Sequence, residues 1–196
     1  MNFTLDQIKA VLAQKGYKFF DNGVYNLNII GVRANKVKPD AFDDTIYFIY
    51  RDEHTRPNIN CFPCTTEPGL DCLITPVSSK GTAILVPAQY SGMWALGLHK
   101  GEYEALVQVN PVSVYRDNNR DDVFDFDPKS IESGCFGINM HHASQFNPNV
   151  RVGKWSAGCQ VFQNIKDFDF AIALCKKAAE LYSNSFTYTL IEEKDF

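Results

Sequence analysis

Leu5, Ile8, Val11 and Leu12 return at the spacing of one helical face, and Gly16 ends that pattern. Residues 24–32 and 45–51 are instead dense in Val, Ile, Tyr and Phe, which predicts two strands. From 52 to 80 the chain turns polar and is punctuated by Pro57, Pro63, Pro68, Gly69 and Pro76, the composition of a long loop or linker. Strands are expected again at 83–87, 93–98, 104–109 and 112–116, the last two joined by a tight turn at Asn110-Pro111. Phe136, Ile138 and Met140 alternate with Gly137, Asn139 and His141, so 136–141 reads as a further strand. Phe168, Ala171, Ile172, Cys175, Ala178, Ala179 and Tyr182 form one apolar helical face, and Phe186 to Ile191 reads as a closing strand.

Many strands and two clear helices predict a β-rich α+β fold. The change in composition divides the chain into residues 1–80, a helix-strand region with a Pro-rich loop acting as cap or extension, and residues 81–196, which hold the candidate chemistry. The 1–80 region can equally be part of the same domain. No internal repeat or low-complexity segment is present.

At 196 residues, 45% hydrophobic and 21% charged, the chain has the composition of a globular domain. A formal net charge of −4 supplies no basic field for a phosphate backbone, so nucleic acid is not an expected partner. No apolar run is long enough for a membrane span, and Met1 to Asp6 lack the basic-then-apolar order of a cleavable signal. Synthesis in the cytosol with free thiols is therefore the expectation for the six cysteines. Cys61-Phe62-Pro63-Cys64 has redox or zinc spacing but no second ligand pair, so a proline-rich loop is the favoured reading. Asp117, Asn119 and Asp121 alternate like calcium ligands but lack the glycine and glutamate that complete such a loop, which favours a solvated turn. No metal or cofactor is expected. His99, within Gly97-Leu98-His99-Lys100-Gly101, reads as an exposed turn residue that could border a cleft.

The candidate chemistry lies in Trp155-Ser156-Ala157-Gly158-Cys159, preceded by His141-His142. A cysteine nucleophile needs a neighbouring base, because its thiol is mostly protonated at neutral pH. His141 shares the polar strand face with Asn139, whereas His142 has the parity of Met140. Parity thus selects His141. The 18 residues from His141 to Cys159 suffice for a loop that leaves one strand and returns beside it, with Asn147-Pro148-Asn149 and Gly153 supplying turn chemistry. Small residues in the turn let a carbonyl approach, and the Gly158 and Cys159 N–H groups could hold an oxyanion. Ser156 could steady the turn or bond the imidazole. A buried strand cysteine and a satisfied histidine are the alternative.

His141 followed by Val152-Gly153-Lys154-Trp155-Ser156-Ala157-Gly158-Cys159 resembles the signature of YkuD-type L,D-transpeptidases, over about residues 130–165. Asn139-Met140-His141 and the Ser-Ala-Gly-Cys turn look like those of phage-associated members. The resemblance implies a β-sandwich-like, mixed-sheet catalytic fold with few helices. It implies Cys159 as nucleophile, His141 as base, and Ser156 and Gly158 as the supporting turn. It also implies attack on peptidoglycan stem peptides through a thioester, resolved by an amine or by water. The chain departs from the pattern at His142, Ala157 and Val161, where that family commonly has glycine, histidine and arginine. His142, Lys154, Trp155 and Ala157 are then the candidate substrate contacts, although His142, Lys154 and Trp155 read equally as surface or packing residues. A papain-like enzyme places cysteine before histidine, the reverse of this order. A non-catalytic phage structural or wall-binding module that kept the fold is the alternative from another class. A wall substrate combined with no export signal implies phage-type release or carriage on a virion. Oligomeric state leaves no trace in the sequence.

Overall fold

The computed structural model describes residues 2–35, 39–144 and 151–196. Helix α1, Leu5–Gln14, opens with a reciprocal capping box between Thr4 and Gln7. Its buried Ile8, Val11 and Leu12 pack on Ile30, Val32, Tyr47, Ile49 and Ile191 on one side of the sheet. The sheet begins with β1 (Asn28–Arg33), β2 (Asp44–Arg51) and β3 (Pro57–Thr65). After a short helix α2 (Leu70–Ile74) come β4 (Thr82–Leu85), β5 (Gln89–His99), β6 (Tyr103–Gln108) and β7 (Val112–Asp117). β8 (Glu132–Gly134), β9 (Met140–His142) and β10 (Gln160–Phe162) are short; α3 (Ile165–Leu181) and β11 (Phe186–Glu192) complete the chain.

Eight of these strands close a mixed barrel in the order β1-β11-β5-β6-β9-β10-β3-β2, and β4-β7-β8 form a separate three-stranded sheet. The fold is thus α+β and β-rich, with three α-helices among the described residues. Three barrel strands come from the first 80 residues, so that region helps to build the sheet that carries the histidines. The barrel core gathers Ile46, Phe48, Trp94, Met140, Phe162 and Tyr188, and α3 adds Phe168, Ala171, Cys175 and Ala178 to the same cluster. Cys175 is fully buried, as its place on the helix stripe requires.

Two sequence expectations change. The supposed loop 52–80 contains β3, which pairs with β2 along its whole length and with β10 through Thr65 and Cys64. Pro57 starts this strand. Pro63 lies just before the β10 pairing begins, where a missing N–H costs no ladder bond on that side. The expected strand 136–141 shrinks to Met140–His142. Before it, the Gln108 side-chain carbonyl accepts from the Phe136 and Ile138 N–H groups at 3.0 and 2.9 Å, taking the place of a neighbouring strand.

Candidate active site

β9 and β10 run parallel, with Val161 opposite His141 and Phe162 opposite His142. A parallel pair needs a crossover, and residues 143–159 provide it. Within that connection Gly153–Trp155 forms a 3-10 turn; Asn147-Pro148-Asn149 lies outside the described residues. Cys159 therefore arrives immediately before β10 and level with Asn139, whose carbonyl accepts from the Gln160 N–H at 2.9 Å.

The turn before Cys159 is fixed by its own small residues. Buried Ser156 accepts from the Gly158 N–H at 3.1 Å and donates to the Cys159 carbonyl at 2.9 Å, so it steadies the turn. Gly158 has φ +119°, and a Cβ there would stand 2.3 Å from the Ala83 carbonyl oxygen. Only glycine meets both conditions. The Gly158 N–H is engaged by Ser156, so it is not free to form the expected oxyanion pair with the Cys159 N–H. The partly exposed Cys159 thiol donates to the Gly137 carbonyl at 3.3 Å. Burial pushes it up to about 11; the Asn139 backbone N–H and the Lys100 charge draw it down by less.

His141 is buried, and its Nδ1 lies 2.8 Å from the His142 carbonyl. A carbonyl only accepts, so Nδ1 carries the proton and Nε2 keeps its lone pair. Burial first, and then the neighbouring His99, hold His141 down at about 3. His141 is therefore a neutral imidazole at physiological pH, with its lone pair at Nε2. His142 is placed differently. Its Nδ1 meets the Ala143 carbonyl at 2.6 Å, and its ring packs on Tyr103 and Phe168 at centroid distances of 4.4 and 5.1 Å.

His99, which the sequence offers as an exposed turn residue that could border a cleft, is placed differently. It is 6% exposed at the end of β5, not an exposed turn residue. Its ring stacks on His141 with centroids 4.2 Å apart and planes 24° apart. β5 runs one residue further than its apolar letters suggest, and this carries His99 inward. Tyr103, opposite His99 at the start of β6, packs against both His99 and His142. β6 and β9 pair at Leu106 and Met140, and beyond that point these four rings fill the space between the strands.

Lys154 and Trp155 are exposed on the 3-10 turn, Trp155 by 46%. Exposed Ala157 lines a cavity with Ala83, Phe136, Gly81 and Arg116. The structure thus brings Cys159, Ser156, Gly158 and His141 onto neighbouring segments with His99 and Asn139. Lys154, Trp155 and Ala157 are exposed around the turn before Cys159, and His142 lies within a packed aromatic group.

The other candidate groups are also placed. Cys61 and Cys64 lie on β3, one exposed and one buried, not in a loop. Asp117 is fully buried rather than solvated, with Oδ2 accepting from the Asp125 N–H at 2.8 Å, and Asn119 bridges Asp121 and Asp125. Among the described residues no cluster of His, Cys, Asp or Glu could hold a metal ion, and no helix is long and apolar enough to cross a membrane. Comparison with protein-family models, curated proteins and solved structures returns no match.

Proposed function

We propose that this protein is a cysteine acyltransferase or hydrolase of L,D-transpeptidase type, acting on peptidoglycan stem peptides through a thioester on Cys159. The observation that carries the reading is the His141 tautomer. The His142 carbonyl takes the Nδ1–H, which leaves Nε2 basic on the strand beside the one that Cys159 opens. In the proposed reaction His141 Nε2 takes the thiol proton as sulfur attacks the amide carbonyl carbon. The Cys159 N–H supports the developing oxyanion. Collapse of the tetrahedral adduct breaks the C–N bond, and the imidazolium returns its proton to the departing amine. An acceptor amine or water then releases the acyl group and the free thiol. With the thiol at about 11 and the imidazole at about 3 the two groups do not rest as an ion pair, so in the proposed reaction proton removal accompanies attack.

The resemblance around His141 and Cys159 supplies the substrate class, and the mixed sheet with adjacent parallel β9 and β10 is compatible with a YkuD-like fold. Release through a membrane lesion or carriage on a virion would bring such an enzyme to the wall. The test is incubation with purified tetrapeptide and pentapeptide stems, read by mass spectrometry. The parent is expected to gain the mass of the acyl donor minus its leaving group, and Cys159→Ala to gain nothing. No adduct and no product with either donor would overturn the reading in favour of a binding module. The product masses, with and without an acceptor amine, separate transfer from hydrolysis.

A further inference from the structure

We propose that His99 and Asn139 are a positioning pair for the base: the Asn139 amide holds His99 as a neutral ring, and that ring fixes the His141 imidazole with Nε2 free. The inference rests on reading His141 as the base of the proposed reaction.

The amide orientation follows from a donor that cannot be reversed. The Gln108 backbone N–H donates to Asn139 Oδ1 at 2.9 Å, so the other end of the amide is the NH2 group. That NH2 lies 3.1 Å from His99 Nδ1, which must accept and hence carries no proton. His99 is therefore the Nε2–H tautomer. Protonating it would set two donors against each other at Nδ1 while Gln108 keeps the amide from turning.

Neutrality matters because of what His99 touches. Its ring lies flat on His141, and a proton on both rings would place like charges 4.2 Å apart. The groups around the pair share this sense. Lys100 opposes a charge on either histidine, as does His142, whereas Glu102 favours one on His99. Tyr103 packs on His99 at 5.5 Å, with its hydroxyl held protonated by burial. Burial with Lys100 keeps His99 below the usual imidazole range, and Asn139 adds the directional part. Cys159 closes the circuit, since its thiol sits against the backbone of the same Asn139. Thus one asparagine uses its side chain to set His99 and its backbone to place the nucleophile.

The test exchanges one group at a time. Asn139→Asp keeps an acceptor for the Gln108 N–H but presents His99 with a carboxylate in place of a donor. Long-range 1H–15N spectra of the labelled protein report tautomer and protonation of each ring directly. In the parent we expect His99 as Nε2–H and His141 as Nδ1–H at neutral pH. In Asn139→Asp, His99 should take its proton at a pH higher by about one unit or more. In His99→Ala, His141 should lose its single tautomer, whereas His99→Phe, which keeps a flat ring, should retain it. A parallel readout is the pH profile of Cys159 alkylation by iodoacetamide. Its acid limb should move up in Asn139→Asp and return in the Asn139→Asp/His99→Phe double variant. An Nδ1–H tautomer at His99, or equal His99 titration in parent and Asn139→Asp, would overturn the proposal. If the spectra follow expectation while stem peptides give neither thioester nor product, the acyl-transfer reading fails and the positioning pair stands.

Discussion

Burial acts on His141 and Cys159 in opposite directions on the pH scale, because each is penalised for a different charged form. For His141 this couples the site to folding. Its folded pKa of about 3 lies below the usual imidazole value, so the unfolded chain takes the proton first as pH falls. Its contribution to stability is thus complete above the unfolded value of about 6.5 and is lost progressively as pH falls towards 3. His141→Gln has no such proton to gain. The stability difference between parent and His141→Gln should therefore shift against the parent by on the order of 2 kcal/mol between about pH 7 and pH 4.5, in denaturant titrations. A difference that stays constant over that interval would show that His141 is not held neutral by the fold.

At the scale of elements, the helices were legible because a long period averages over single exceptions. α1 buries Ile8, Val11 and Leu12, and α3 buries Phe168, Ala171, Ile172, Cys175 and Ala178, as their spacing announced. Leu174 is buried as well, and Tyr182, expected on that face, is exposed beyond the helix end. The short strands were harder. β3 carries Pro63, exposes Ile59 and points Asn60 towards the core side, so neither its apolar letters nor its breakers announce a strand. Strand parity separated His141 from His142, yet both are buried in β9, and the His142 carbonyl accepts from His141 Nδ1. His99 stayed hidden because Gly97-Leu98-His99-Lys100-Gly101 reads as a turn. Burial along β5 does not alternate cleanly, since Met93 and Trp94 are both buried, and only its end separates exposed Leu98 from buried His99. The strand assignment of β3 also decides the fate of its cysteine pair. Cys61 and Cys64 are three strand positions apart, about 10 Å between Cα atoms, whereas a disulfide needs less than about 7 Å. Their side chains also point to opposite faces. Mild oxidation should yield no Cys61–Cys64 bond, and a short alkylation should label Cys61 while Cys64 stays protected. Recovery of a disulfide-linked Cys61/Cys64 peptide from folded protein would refute this strand.

For the whole molecule, closure of the barrel carries a charged cluster into the interior, where β1 and β2 meet the end of β3. Arg33 is almost completely buried; it pairs with Glu67 and donates to Thr66 Oγ1 and the Thr66 and Leu85 carbonyls, each at 3.1 Å. The Phe126 ring lies 5.5 Å from its guanidinium. Asp44 accepts from the Thr66 and Ala34 N–H groups at 2.7 and 2.8 Å. Glu67 is left with burial and the nearby Asp44 charge, which together raise it well above the usual carboxylate range despite Arg33. One guanidinium thus faces two carboxyl groups, of which Glu67 is the one whose pKa is raised. The linkage follows from that raised value. The contribution of Glu67 is complete below the ordinary carboxylate pKa and is lost as pH rises, because the unfolded chain releases the proton that the folded barrel must keep. Glu67→Gln retains an oxygen for Arg33 and Thr66 and gives Asp44 a permanent N–H donor. Relative to parent it should gain stability steadily between about pH 5 and pH 8, reaching roughly 1–3 kcal/mol. Arg33→Met should instead lose roughly 3–5 kcal/mol, since it leaves the carboxyl groups buried without their cation. Denaturant titrations of the three proteins across that range decide the matter: parallel curves for parent and Glu67→Gln would mean that Glu67 is ionised inside the barrel.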